Sequence, residues 1–144
     1  SDSRVRAVLA LGPLGVAPFG AGFGSTVAVP AMMQGGTHDT ITPPEVECIP
    51  PYEAFSSPAW LVLIEGAGHF TFSSVCDFLD SVGASLPQLD DGCTDQDIAS
   101  ADAHAITSTY ATAFFQSTLE GDASVASWLS GAPPLPAASH SPAS

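Results

Sequence analysis

Two short polar turns carry the residues best suited to catalysis. The first reads GGTHDTITP over residues 35–43, and the second reads EGAGHF over residues 65–70. One turn carries a carboxylate, Asp39, and the other carries an imidazole, His69; both turns contain glycines. A carboxylate beside a histidine fixes its tautomer and orientation, and the histidine then removes a proton from a nucleophilic hydroxyl. The residue types and their setting therefore predict the acid and the base of a hydrolytic site.

Each of these residues also has a plainer interpretation. Asp39 alone would serve equally well to cap its own turn, and His69 alone would suit an exposed turn. His38 is predicted to be a turn residue rather than a ligand, and His104 an exposed or half-buried helix residue. His140 lies near the end of the chain and has no evident role.

Three apolar segments predict the strands that would position these turns. They read RVRAVLAL at residues 4–11, VAVPAMMQ at residues 27–34 and AWLVLI at residues 59–64. The two polar turns follow the second and third segments, and functional groups in open α/β sheets cluster beyond the carboxyl ends of parallel strands. Helices are predicted at residues 72–82, 98–119 and 122–129, with a broken helix at 45–56. This pattern indicates a parallel sheet with helices packed on it.

The longest predicted helix has one apolar side. We expect its buried face to consist of Ile98, Ala101, Ala105, Tyr110, Ala113, Phe114 and Leu119. Asp95 and Asp97 precede it and suit its positive N-terminal end. Three strands with so few helices leave sheet faces and edges uncovered, so we expect further protein before Ser1.

Composition excludes several classes of partner. The chain has 144 residues with two Lys and Arg against 15 Asp and Glu, for a formal net charge of −13. Such a chain repels nucleic-acid backbones and anionic lipid, so we expect neither partner and a neutral or weakly polar substrate. No apolar run approaches the roughly 20 residues of a membrane helix. The glycines at 20, 22 and 24 do not form a dinucleotide fingerprint, and we expect no cofactor and no metal.

The three cysteines do not form a metal-binding pattern, because no two of them make a C-x-x-C pair. Cys76 and Cys93 flank a polar loop, and we predict a disulfide between them, with Cys48 free or paired with another segment. The alternative is three buried thiols. A disulfide would indicate a secreted or periplasmic protein.

The two turns together resemble those that carry the acid and the histidine of serine α/β-hydrolases. The pattern G-G-T-x-D-x-x-T-P, helix, strand, E-G-A-G-H-F is most similar to bacterial proteins of the dienelactone hydrolase and platelet-activating-factor acetylhydrolase group, which includes polyester hydrolases. Residues 2–8 resemble the strand after the nucleophile helix of that group, and Phe114-Phe115 resembles part of its last helix. The resemblance implies that residues 1–130 are the C-terminal half of an α/β-hydrolase domain. Residues 131–144, rich in Pro, Ala and Ser, are expected to be a flexible tail.

The departure from that group is the nucleophile. Its serine lies in G-x-S-x-G upstream of the acid and the histidine, and this chain has no such motif. The nearest segment, GASLP at residues 83–87, lacks the final glycine and follows the histidine, so Ser85 is taken as a loop residue. The resemblance thus implies a carboxylic-ester hydrolase in which Asp39 and His69 act on a serine from an N-terminal segment or second chain. That segment would also supply the oxyanion hole.

Four apolar residues are candidates for a substrate pocket, namely Leu14, Phe19, Phe23 and Phe70. Ordinary core packing is an equal alternative for them. The alternative for the whole chain is a non-catalytic binding or interaction half-domain of the same fold. Cleavage of peptides rather than esters is a third interpretation, which fold analogy alone does not separate from the first.

Overall fold

Three parallel strands form the centre of the structure. The computed structural model describes residues 2–130, together with the backbone of residues 138–142. Strand β2 (Ala31–Gly36) lies between β1 (Val8–Leu11) and β3 (Ala59–Ile64) and pairs with both in parallel. Every residue of β2 is buried, as expected for the middle strand of a sheet covered on both faces. The parallel sheet with flanking helices confirms the predicted α/β class.

The strand bounds follow the backbone chemistry of each segment. β3 has the predicted bounds, because its apolar run is closed by Pro58 before it and by a turn after it. β2 starts later than predicted, just after Pro30, which has no N–H to donate to the sheet. β1 is half the predicted length, because residues 4–6 are exposed and Arg4 instead pairs with Asp2.

A fourth strand lies within the segment that the sequence predicts to be a flexible tail. β4 (Ala138–Pro142) pairs antiparallel with β3 along the outer edge of the sheet. Backbone pairing of this kind satisfies the edge of β3 and needs no apolar side chains, which is why composition did not indicate it. The rest of that prediction, for residues 131–137 and 143–144, lies outside the described residues, as does the side chain of His140.

One face of the sheet is covered by the long helix α5 (Ser100–Phe115), which ends in a wider π-helical turn at Gln116–Glu120 and is followed by α6 (Ala123–Ser130). The buried residues of α5 are Ala103, Ile106, Tyr110, Ala113 and Phe114. They pack with Met32, Val62 and Ile64 in the main core.

The predicted buried face of this helix was therefore wrong in part. Ala101 and Ala105 are exposed, and so is Leu119 in the turn that follows. Alanines occur around the whole circumference of the helix, so the larger Ile106 and Tyr110 set its orientation instead. Asp95 and Asp97 precede the helix as predicted, and its N-cap residue is Ala99.

Short helices cover the other face. The predicted broken helix is confirmed as α2 (Pro44–Glu47) and α3 (Ile49–Glu53), with Cys48 between them. Between β1 and β2 the chain forms α1 (Val16–Phe19) and a 3₁₀ turn at Ala21–Thr26. A further 3₁₀ turn at His69–Phe72 leads into α4 (Val75–Val82). In the part of the chain that the structure describes, no helix is long and apolar enough to cross a membrane.

The cysteines are arranged as predicted. A disulfide joins Cys76 in α4 to Cys93 in the loop between α4 and α5, whereas Cys48 is free and fully buried. Burial, with smaller contributions from the negative charges of Asp39 and Glu47, raises the pKa of Cys48 to about 12. Cys48 is therefore an unreactive thiol in the folded chain.

Strand β1 forms the second edge of the described sheet. It pairs with β2 on one side only. Val8, Leu9 and Ala10 are half-buried, and Leu11 is 40% exposed. An apolar parallel strand with an open edge contrasts with the complete burial of its neighbour.

Candidate active site

The sheet brings Asp39 and His69 together. Asp39 follows β2, His69 follows β3, and Oδ2 of Asp39 lies 3.0 Å from Nδ1 of His69. The two turns are also joined through their backbones, because the N–H of His38 donates to the carbonyl of Ala67 at 2.9 Å. The contact predicted from the two turns is therefore present, while its catalytic use stays a prediction.

Asp39 has hydrogen-bond donors on both oxygens. Oδ1 accepts the backbone N–H groups of Ile41 at 3.0 Å and Thr42 at 2.6 Å. Oδ2 faces His69 and accepts the hydroxyl of Thr42 at 2.8 Å. The carboxylate thus caps its own turn and orients the histidine at once, so the two interpretations of Asp39 are not exclusive. Its side chain is fully buried, whereas that of His69 is 27% exposed.

Thr42 is a site residue that sequence reasoning missed. Its Oγ1 lies 3.0 Å from Nδ1 of His69 and 3.3 Å from the carbonyl oxygen of Gly12, in addition to its bond with Asp39. The hydroxyl therefore contacts the acid, the base and the end of β1 at the same time. An Asp whose side chain bonds the backbone of the following residues is typical of turns, and the hydroxyl of Thr42, three residues after Asp39, could have been recognised as part of such a turn.

Two glycines allow the turns to approach each other. An added Cβ on Gly36 would lie 2.0 Å from the carbonyl oxygen of Ala67, a separation that no side chain tolerates. Gly12, with φ +48°, ends β1 beside the pair, and a Cβ there would lie 3.5 Å from Nδ1 of His69. A side chain at Gly12 would thus be strained by the positive φ, while its Cβ would make an ordinary van der Waals contact with the imidazole.

The imidazole is also held from its backbone. The N–H of His69 donates to Oδ1 of Asp91 at 2.6 Å, and the ring of Phe70 meets the His69 ring edge-on at 5.4 Å between centroids. Nothing in the sequence near either turn indicated Asp91, because it lies in the loop after α4.

The predicted pocket residues separate into two groups. Leu14, Phe19 and Phe23 line one open depression of about 630 Å³, together with Pro13 and Gly15. This depression begins directly after Gly12, which adjoins the acid and the histidine.

Exposure decides between pocket and core packing for these side chains. Leu14 is 61% exposed and Phe19 is 72% exposed, so neither is a core residue. Phe23 is half-buried against the core beside Met33 and Leu61. Phe70 is not part of the depression, since it packs on the imidazole instead.

Two other histidines, His38 and His104, lie in structural contacts. Nδ1 of His38 is 2.9 Å from Oδ1 of Asp97, which joins the acid turn to the loop before α5. Nε2 of His104 bonds to the carbonyl of Ser73 at 3.1 Å, and His104 is half-buried as predicted. Ser85 lies in an exposed stretch after α4. Within the described residues no group of three or more His, Cys, Asp or Glu is arranged to hold a metal ion.

No protein-family model matches this chain, and no curated protein is significantly similar to it. The resemblance of the two turns to those of α/β-hydrolases therefore stays a prediction.

Proposed function

We propose that this chain supplies the acid and the base of a serine-dependent carboxylic-ester hydrolase of the α/β-hydrolase type, and that a separate N-terminal segment supplies the serine. The observation that carries this proposal is the 3.0 Å contact between the buried carboxylate of Asp39 and the partly exposed imidazole of His69. The contact lies beyond the carboxyl ends of adjacent parallel strands, which is where open α/β sheets place functional groups.

In this proposal each group has one task. Asp39 accepts the Nδ1–H of His69, which leaves Nε2 unprotonated and free to take the proton of the serine hydroxyl. The serine oxygen attacks the ester carbonyl, and His69 returns the proton to the departing alcohol. Water then hydrolyses the acyl-enzyme by the same route, again with His69 as the base. Nε2 makes no hydrogen bond within the part of the chain that the structure describes, which suits this role.

The open edge of β1 supports a separate nucleophile segment. In serine α/β-hydrolases the nucleophile turn follows a strand of the same sheet. A strand paired parallel to β1 would cover this edge and end at the same side of the sheet as Gly12. The serine would then reach the imidazole from the side opposite β3.

The depression beside Gly12 supports an apolar ester group as substrate. It is lined by exposed apolar side chains, and the chain carries a net charge of −13, which disfavours anionic substrates. The disulfide is compatible with an oxidising compartment, and we propose that the protein is secreted or periplasmic.

The experiment is complementation. The chain is purified alone and after co-expression with the polypeptide encoded upstream of it, and both preparations are assayed with p-nitrophenyl acetate and butyrate. We expect the chain alone to be inactive and poorly soluble, because β1 leaves an apolar edge open. The complemented protein is expected to be active.

Variants of the complemented protein assign the roles. We expect His69→Ala to abolish nearly all activity and Asp39→Asn to reduce kcat about 10⁴-fold. His104→Ala, which removes a half-buried histidine outside the site, serves as the control and is expected to change little. Full activity of the isolated chain, or an active complex in which His69→Ala is silent, would contradict the proposal. A soluble complex without esterase activity would favour the alternative, a binding half-domain of the same fold that does not catalyse a reaction.

A further inference from the structure

Asp91 connects the two turns of the site although it belongs to neither. It lies in the loop between α4 and α5. Its Oδ1 accepts the N–H of His69 at 2.6 Å, and its Oδ2 accepts the N–H of Thr40 at 2.9 Å together with the Thr40 hydroxyl. Thr40 directly follows Asp39. One carboxylate therefore bridges the backbone of the base and the residue next to the acid.

The backbone around Asp91 reinforces this bridge. The carbonyl of Asp91 accepts the N–H of Phe70 at 2.9 Å, and the carbonyl of Gly92 accepts the hydroxyl of Thr71 at 3.0 Å. An added Cβ on Gly68 would lie 2.3 Å from the nitrogen of Gly92, so the loop and the histidine turn are in direct contact. The loop therefore contacts the histidine turn at residues on both sides of His69 in the sequence.

The disulfide anchors the loop that carries Asp91. Cys93 lies two residues after Asp91, and its bridge to Cys76 joins the loop to the helix that follows the histidine turn. Asp91 thus lies within the segment 76–93, whose two ends the disulfide joins.

Charge strengthens the bridge. Burial alone would raise the pKa of Asp91, but hydrogen bonds from the Thr40 side chain and from the backbone of His69 and Thr40 outweigh it and hold that pKa below its ordinary value. The side chain is therefore ionised at neutral pH, and its bonds are charge-assisted. None of these bonds reaches the imidazole itself, so any effect of Asp91 on the ring acts through the backbone.

We propose that Asp91 is a positioning residue, which fixes the imidazole of His69 against Asp39 by holding one backbone point on each turn. Its consequence for catalysis rests on the proposed function, whereas its effect on the Asp39–His69 contact does not. A shift of about 1 Å in a catalytic group costs about 10²-fold in rate, so a loose histidine turn reduces kcat without removing any reacting group.

The test compares Asp91→Ala and Asp91→Asn with Asp90→Asn. Alanine removes all acceptors, and asparagine keeps an acceptor at one oxygen only, so it preserves either the His69 bond or the Thr40 bonds. Asp90 is the matched control, because its side chain makes no hydrogen bond within the described residues. The protein is used in its soluble form, co-expressed with the serine-bearing segment if the chain alone is insoluble.

The first readout needs neither substrate nor serine. In ¹⁵N-histidine-labelled protein, the far-downfield Nδ1–H resonance of His69 reports its hydrogen bond to Asp39. We expect this resonance to be lost in Asp91→Ala, weakened in Asp91→Asn and unchanged in Asp90→Asn, while circular dichroism shows all variants folded. An unchanged resonance in folded Asp91→Ala would overturn the proposal. If Asp91→Ala does not fold, an unchanged resonance in Asp91→Asn overturns it.

The second readout is the division between kcat and KM, with active sites counted by labelling with a fluorophosphonate. We expect about a 10²-fold lower kcat per active site in Asp91→Ala, a smaller loss in Asp91→Asn and nearly constant KM. A purely structural role would lower the number of sites and leave kcat per site unchanged, which would overturn the catalytic part of the proposal. If the resonance is lost while His69→Ala is catalytically silent, Asp91 positions the histidine and the proposed function is wrong.

Discussion

Replacing Thr42 by valine isolates the hydroxyl that joins the acid, the base and the end of β1. The two side chains have nearly the same shape, and Thr42 is 2% exposed, so the change removes polar contacts and leaves the packing intact. Oγ1 donates to Oδ2 of Asp39 at 2.8 Å, and it lies 3.0 Å from Nδ1 of His69. Asp39 retains its two backbone donors and the imidazole after the change.

The expected loss of stability follows from the charge of the acceptor. A hydrogen bond to a charged group contributes about 1.5–3 kcal/mol, so we expect the free energy of unfolding to fall by about that amount in Thr42→Val. Thr42→Ser keeps the hydroxyl and loses one methyl group, and it should cost about 1 kcal/mol. The activity loss in Thr42→Val should stay well below the roughly 10⁴-fold loss for Asp39→Asn, since the main partner of His69 remains.

Urea denaturation at neutral pH, followed by circular dichroism, measures these differences in the soluble protein. A free energy of unfolding in Thr42→Val equal to that of the wild-type protein would refute the reasoning, because the hydroxyl would then contribute nothing. An activity loss as large as that of Asp39→Asn would refute it in the other direction, since it would make Thr42 the main partner of the imidazole.

Three further outcomes are expected. Cys48 should not react with a thiol reagent in the native protein near pH 8, because burial raises its pKa to about 12. Denaturation without reductant should expose one reactive thiol per chain, and three reactive thiols would contradict the disulfide. Replacing Cys76 and Cys93 together by serine should lower the free energy of unfolding by about 3 kcal/mol, as measured in urea, and no change would contradict a stabilising role. Asp91 has a folded-state pKa below the unfolded value near 3.8, so its contribution is present above that value and is lost as the pH falls through the lower folded-state pKa. The acid-induced loss of stability, followed by thermal melting between pH 5 and pH 2, should therefore be shallower in Asp91→Asn than in Asp90→Asn, and equal slopes would contradict the assignment.

Local signals sufficed for the parts of the fold with strong apolar runs. The run at residues 59–64 predicted β3 with its bounds, and the turns after β2 and β3 predicted the contact between Asp39 and His69. The second prediction depends on the rule that parallel neighbours end at the same edge of a sheet. The disulfide could be predicted because Cys76 and Cys93 flank a single loop.

Features that depend on tertiary contact were not visible in the sequence. β4 is formed by backbone pairing with β3, which its Pro, Ala and Ser composition does not encode. The orientation of α5 is set by Ile106 and Tyr110 within a helix that has alanines on every side. Asp91 is one of several aspartates in a polar loop, and only the folded backbone shows that it meets His69.

Labelling with a fluorophosphonate tests the central claim most directly, because this reagent reacts only with a serine activated by its base. The complemented protein and its His69→Ala variant are labelled, and intact mass spectrometry locates the adduct. The account predicts one adduct per complex on the upstream segment, none on the 144-residue chain, and loss of labelling in His69→Ala. An adduct on this chain, or labelling that persists unchanged without His69, would contradict it.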